Sequence, residues 1–249
     1  MFGRKWRARS PENVVEELKL LRYKYKVREI EFLDDIFTLN KERAKEICNL
    51  IVKEKLDISW SCSSRVDTID YELARELKKA GCHTVYVGVE CGTQKSLDFI
   101  NKKITVKQAI KAVKALKRAG LKVLASFILG IPGETETDIK KTISLARHLD
   151  PDFVQFTILT PYPGTPLFDI AREKGWLRSL DWREYNVLNP VMEIPGLSPK
   201  KLKRLLNYAY IYFYLRPKYM IKVIKERNIF LLIDIFKGAI NLIKGRILS

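Results

Sequence analysis

Two hydrophobic periods alternate along this chain. Short runs of apolar residues read as strands, and stretches with apolar positions three or four apart read as helices. The first stretch is helical: Ser10-Pro11 is an N-cap followed by proline at the first helical position, and Val14, Val15, Leu18 and Leu21 form one stripe. A strand at residues 29–33 ends on Asp34-Asp35, and the next helix carries Ala44, Ile47 and Ile51. A second strand at 58–63 runs out at Arg65, and its helix is marked by Leu73, Ala74 and Leu77. A third strand at 84–89 ends at Glu90-Cys91-Gly92, before a helix opened by Thr105 and Gln108 at capping-box spacing. The fourth strand, 123–129, ends at Gly130-Ile131-Pro132-Gly133-Glu134 and is followed by Ile139, Ile143 and Ala146 at helical spacing. The fifth, 153–159, ends at Thr160-Pro161-Tyr162-Pro163-Gly164-Thr165-Pro166.

Strands alternating with helices at this interval predict an α/β fold of parallel strands joined by right-handed crossovers. In such folds ligands gather at the carboxyl ends of the strands, and every polar or glycine-rich cluster of this sequence falls there. Five strands are too few to close an eight-stranded barrel, and the first element is a helix, so a preceding strand is expected upstream of Met1. After Trp176 the rhythm stops. Residues 177–197 read as a loop-rich crossing, and Ser198-Pro199 opens a helical tail rich in tyrosine, with residues 229–236 its most apolar stretch. The expected organisation is a core over residues 1–176 and a linker with a basic helical extension over 177–249.

Charge describes the tail more than the core. The formal net charge is +17, yet from Lys200 onward twelve basic residues face only Glu226 and Asp234. Such a tail suggests either a helical cap over the open barrel or contact with a membrane surface, with nucleic acid the less favoured partner. No apolar run approaches the roughly 20 residues needed to cross a bilayer, and no secretory h-region follows the basic start. A cytoplasmic protein, with membrane association as the variant, is expected. Cys48, Cys62, Cys82 and Cys91 match neither a zinc ribbon nor a CxxC pair and read as small buried hydrophobes. His83 and His148 stand apart from other ligand types and read as structural, so no metal site is predicted.

Three clusters carry candidate chemistry. Asp34 and Asp35 after a strand suit a metal or an ammonium group, against the plainer reading of an acidic turn capping a helix. The Gly130 turn permits close backbone approach to a ligand at a helix start, against an ordinary turn between strand and helix. It is no phosphate loop, because no GK[ST] follows. Glu90 ends a strand at the same rim and suits ribose hydroxyls, while Arg65 and Lys102 suit a carboxylate. Each of these three, taken singly, also reads as a solvated surface charge.

Together the segments resemble the radical S-adenosylmethionine (SAM) superfamily, and most closely its cobalamin-associated branch, which includes proteins like the anaerobic magnesium-protoporphyrin ester cyclase. The resemblance rests on Gly3-Arg4-Lys5-Trp6-Arg7-Ala8-Arg9-Ser10-Pro11-Glu12, Phe32-Leu33-Asp34-Asp35-Ile36-Phe37, Val87-Gly88-Val89-Glu90-Cys91-Gly92, Gly130-Ile131-Pro132-Gly133-Glu134-Thr135 and Pro161-Tyr162-Pro163-Gly164-Thr165-Pro166-Leu167, in the family's order. It implies a partial (βα)6 barrel of the TIM type and a [4Fe–4S] cluster bound by a CxxxCxxC loop. It further implies S-adenosylmethionine as the source of a 5′-deoxyadenosyl radical. Cobalamin and a small-molecule, lipid or tetrapyrrole-like substrate go with the branch. By position the resemblance puts Asp34 and Asp35 at the amino group, Glu90 at the ribose, Lys102 and Arg65 at the methionine part, and Ser126, Gly130 and Ile131 beside the adenine.

The sequence departs from the family in holding no CxxxCxxC. The expectation is a barrel lacking its first strand and cluster loop, inactive without an upstream segment or separate subunit that carries them. The alternatives are a non-catalytic barrel that binds S-adenosylmethionine or a partner, and a basic protein that binds nucleic acid or a membrane surface.

Overall fold

The computed structural model describes residues 6–225. The order is α1 (Pro11–Lys19), β1 (Glu29–Phe32), α2 (Lys41–Lys53), β2 (Ser59–Arg65), α3 (Tyr71–Lys79), β3 (Cys82–Glu90), α4 (Gln94–Phe99), α5 (Val106–Arg118), β4 (Lys122–Leu129), α6 (Glu136–Leu149), β5 (Phe153–Ile158), α7 (Pro166–Glu173), α8 (Pro199–Tyr214) and α9 (Pro217–Lys225). Local chemistry sets the helix starts. Side chains of Ser10, Asn40, Asp70, Thr93, Thr105, Thr165 and Ser198 each accept from an amide in the first turn. The capping box predicted from Thr105 and Gln108 forms. The insertion that periodicity did not predict is α4, six residues long and too short to show an apolar stripe.

The five strands form one open parallel sheet in the order β1-β2-β3-β4-β5, as the α/β reading expects. The tail stretch 229–236 and the motif residues Gly3, Arg4 and Lys5 lie outside the described residues. The chain divides into two compact units. Over the described residues the first holds 6–89, 104–126 and 149–153, and the second holds 90–103, 127–148 and 154–225.

In the first unit the register pairs Ser63 with Tyr86 and Arg65 with Gly88, so these four share one half-exposed face of β2 and β3. The opposite face carries Cys62, Val85 and Val87, all buried. Trp60 anchors the base of β2: it is fully buried, and its indole N–H donates to the Ala80 carbonyl at 2.7 Å.

In the second unit α8 completes the outer side of β5. The Tyr210 hydroxyl donates to the Phe156 carbonyl at 2.9 Å and accepts from the Phe156 amide at 3.0 Å. Tyr214 does the same at Val154, at 3.2 and 3.1 Å. The spacing i, i+4 on the helix matches i, i+2 on the strand, because four helical residues rise about 6 Å and two extended residues span nearly the same length. A strand edge that would otherwise present bare amides and carbonyls is thereby satisfied by side chains. The loop-rich crossing is held by antiparallel bridges between Leu177 and Met192 and between Ile194 and Leu197.

Candidate functional site

The acidic turn after β1 belongs to the first unit. The Phe37 amide donates to the Ser63 carbonyl at 2.9 Å, and the buried Thr38 hydroxyl bonds to those of Ser64 and Thr68. That pins the turn to the end of β2 while Asp34 and Asp35 stay exposed. Neither caps α2, since Asn40 fills that role with an acceptor 2.9 Å from the Arg43 amide. Arg65 makes a two-pronged ion pair with Asp67 at 3.0 and 2.9 Å, the geometry that suits a planar guanidinium. Ser126 sits at a half-exposed position of β4, in the same unit.

The second unit gathers the rest. Glu90, the last residue of β3, is 8% exposed and holds a left-handed backbone, φ 66°, which costs a non-glycine residue about 1 kcal/mol or more. Strain of this kind persists where surroundings over-determine it. Here the Lys102 ammonium donates directly to the Glu90 carboxylate. Two side chains that the resemblance assigns to different parts of one ligand are therefore joined to each other.

The Gly130 turn is locked from within. Glu134 is buried, and one of its oxygens accepts from the Gly130 and Ile131 amides at 3.0 and 2.9 Å. The other accepts from the Ser96 hydroxyl at 2.8 Å. Burial pushes the Glu134 carboxyl above its usual range, against the opposite pull of these donors. Gly130 itself has φ 83°, and a Cβ there would lie 2.6 Å from Leu202 of α8. Glycine is thus favoured by the backbone conformation, and a side chain there would also have to displace the end of Leu202. Ile131 is fully buried, and its amide is taken by Glu134.

Cys91 ties these groups together. Burial pushes its thiol well up, and the charges of Glu134 and Glu90 add to the rise while Lys102 opposes it, so all three lie within electrostatic reach. Gly92 follows with its amide on the Thr142 hydroxyl at 2.8 Å, and a Cβ there would meet the backbone of α6 at 2.6 Å. Of the predicted residues, then, Glu90, Lys102, Gly130 and Ile131 share one unit, and Asp34, Asp35, Arg65 and Ser126 share the other. Ser96 and Glu134 were not singled out from sequence. The signal for Glu134 was its place four residues after Gly130; Ser96 sits in the short α4, which has no periodic signature.

The four cysteines do not fit an iron–sulfur cluster. All are buried, Cys48 is pushed up to about 12 by burial, and Cys62 is raised by its hydrogen bond with Cys82 and by burial. Cluster ligation needs several thiolates within reach of one another on a loop. Among the described residues no group of three or more His, Cys, Asp or Glu side chains is placed to hold a metal ion. His83 bonds Thr84 at 2.7 Å and Glu29 at 2.5 Å, and His148 is an exposed residue in the last turn of α6.

An open sheet of parallel strand–helix units, with polar groups at the strand ends, places the molecule among partial barrels. The family described as the radical SAM superfamily matches residues 1–146, and the chain belongs to it. An uncharacterised methyltransferase of Pyrococcus horikoshii is 48% identical over 239 residues, 96% of this chain and 52% of that protein. The anaerobic magnesium-protoporphyrin IX monomethyl ester cyclase of Rubrivivax gelatinosus is 29% identical over 88% of this chain and 40% of its own length. The cobalamin-dependent radical enzyme OxsB, solved with aqua-cobalamin and S-adenosylmethionine bound, shares the fold with a TM-score of 0.66. That match covers 94% of this chain and 43% of OxsB at 15% identity. The chain spans about half the length of the curated relatives it matches, or less. No helix among the described residues is long and apolar enough to cross a membrane.

Proposed function

We propose that residues 1–176 form the S-adenosylmethionine-holding part of a radical enzyme of the cobalamin-associated branch, and that 177–249 are its extension. S-adenosylmethionine supplies the adenosyl group for radical chemistry when bound. Methyl transfer or oxidative cyclisation of a small tetrapyrrole-like or lipid-like molecule, with cobalamin, is the reading the relatives favour. A cytoplasmic setting goes with it.

One observation carries the proposal: Glu90, Cys91, Lys102 and the Glu134-locked turn, from separate stretches of sequence, meet in one unit. In this arrangement Lys102 offsets the charge of a buried carboxylate at a strand's carboxyl end, so Glu90 can accept from ligand hydroxyls without standing as an unpaired buried anion. Glu134 holds the Gly130 turn rigid by occupying its amides. Asp34 and Asp35, exposed and unneeded for capping α2, remain suited to an ammonium group.

The second reading, a barrel that binds S-adenosylmethionine or a protein partner without redox chemistry, is favoured by the buried, raised thiols. An upstream segment or separate subunit bearing the cluster loop belongs to the first reading. Equilibrium dialysis of labelled S-adenosylmethionine against the whole chain tests what both share. Saturable binding is expected, weakened about tenfold or more by Glu90→Gln and by Lys102→Met, the range for losing a hydrogen bond to a charged group. Absence of binding, or variants that bind as tightly as the parent, overturns the assignment.

A further inference from the structure

We infer that Thr38 is a positioning residue for the amino-acid end of S-adenosylmethionine: its buried hydroxyl fixes the turn that carries Asp34 and Asp35. The inference rests on the reading, proposed above, of that turn as the seat of the ligand's ammonium group. Three hydroxyls meet behind the turn, all within the first unit. Thr38 and Ser64 are buried, and Thr68 is half-buried. The Thr38 hydroxyl bonds to that of Ser64 and lies 2.6 Å from that of Thr68. The Thr68 hydroxyl donates to the Arg65 carbonyl at 2.9 Å, and the Ser64 hydroxyl lies 3.3 Å from the same oxygen. One chain of donation, from Ser64 to Thr38 to Thr68 to the Arg65 carbonyl, leaves no hydroxyl proton unsatisfied.

A buried hydroxyl costs free energy unless it is bonded, and apolar side chains of the same shape would pack this corner about as stably. What the hydroxyls add is direction, since a hydrogen bond fixes distance and angle where apolar packing fixes mainly volume. The neighbouring Phe37 already holds the turn in part. Its ring packs on Phe32 and Trp60 at centroid distances of 4.7 and 5.4 Å, and its amide donates to the Ser63 carbonyl. One ring and one amide leave a pivot. The Thr38 bonds reach two further points, one at the end of β2 and one in the single turn of 3-10 helix that follows it, and so remove the pivot. Asp34 and Asp35 are exposed, so the backbone that bears them sets where their charges stand. Held orientation of this kind is what a ligand's charged group needs from the residues that receive it.

The test measures binding of two ligands to the full chain: S-adenosylmethionine, and 5′-methylthioadenosine, which lacks the methionine amino and carboxylate groups. Thr38→Val keeps the volume and leaves Ser64 and Thr68 the Arg65 carbonyl as acceptor, so circular dichroism should match the parent's. The variant should bind S-adenosylmethionine about tenfold more weakly and methylthioadenosine within about twofold of the parent. Thr38→Ser, which restores the hydroxyl, should recover the parent's affinity. Ser64→Ala, which removes one of the two bonds to Thr38, should show the same selectivity with a smaller loss. In a chain already carrying Asp34→Asn and Asp35→Asn, Thr38→Val should weaken binding no further, because it acts through those carboxylates. Equal weakening toward both ligands, failure of Thr38→Ser to restore affinity, or a full additional loss in the Asn background overturns the inference. A parent that binds S-adenosylmethionine and a Thr38→Val chain that binds it as tightly also overturn it, and leave the binding assignment standing. A parent that does not bind S-adenosylmethionine, or Asn substitutions without effect, would remove the seat itself and the inference with it.

Discussion

Glu134 shows how one side chain can serve the shape of a site without facing a ligand. Its two oxygens take three donors, two of them consecutive backbone amides of the Gly130 turn. Because burial raises its affinity for a proton in the native state, the folded protein binds more protons than the unfolded chain over the window above its ordinary value of 4.5. Its contribution to stability is therefore complete below that value and is lost as pH rises through the raised native pKa. The variant Glu134→Gln keeps an acceptor and cannot ionise. As pH rises above the ordinary value of 4.5 the parent should lose stability relative to this variant, as read by urea denaturation of both. A gap independent of pH would mean that the carboxyl does not titrate differently in the two states.

Among the elements, α8 does the least expected work. The tyrosine-rich tail was legible as an amphipathic helix, and a cap over an open barrel was among its expected roles. That two tyrosine hydroxyls would replace a neighbouring strand depends on a rise-per-residue match between helix and strand, which no periodicity in one element reveals. Tyr210→Phe should leave the Phe156 amide and carbonyl without their side-chain partner and cost about 1–3 kcal/mol. Tyr214→Phe should act alike at Val154. Denaturant midpoints would record the losses, and light scattering should show the double variant more prone to aggregate, since a strand edge is uncovered. Variants as stable and as dispersed as the parent would show that the edge needs no such cover.

At the level of the whole chain, membership of the radical SAM superfamily sits beside a cysteine set unsuited to a cluster. All four thiols are buried, and those of Cys48, Cys62 and Cys91 are held in the protonated form by their surroundings. Incubation of this chain with iron and sulfide should give less than stoichiometric four-iron cluster by Mössbauer spectroscopy and iron analysis. None of the four thiols should react rapidly with a disulfide reagent until denaturant is added, because attack needs an accessible thiolate. A full cluster on the native chain would refute this account of the cysteines.

Strand and helix positions were readable because each element repeats a local rule: alternation or 3.6-fold apolar spacing, a capping side chain, a glycine or proline at the end. Ser10, Thr105 and Ser198 start helices for reasons contained within four residues of themselves. Candidate site residues were legible as types at strand ends, but their partners were not. Lys102 meets Glu90, Arg65 meets Asp67 and Glu134 meets Ser96 only after the chain has folded. Whether a carboxylate is buried or paired, or has its pKa moved, depends on dielectric and on groups distant in sequence. Local pattern therefore determined where chemistry sits along the chain, and three-dimensional packing decided which groups face one another and in what state of charge.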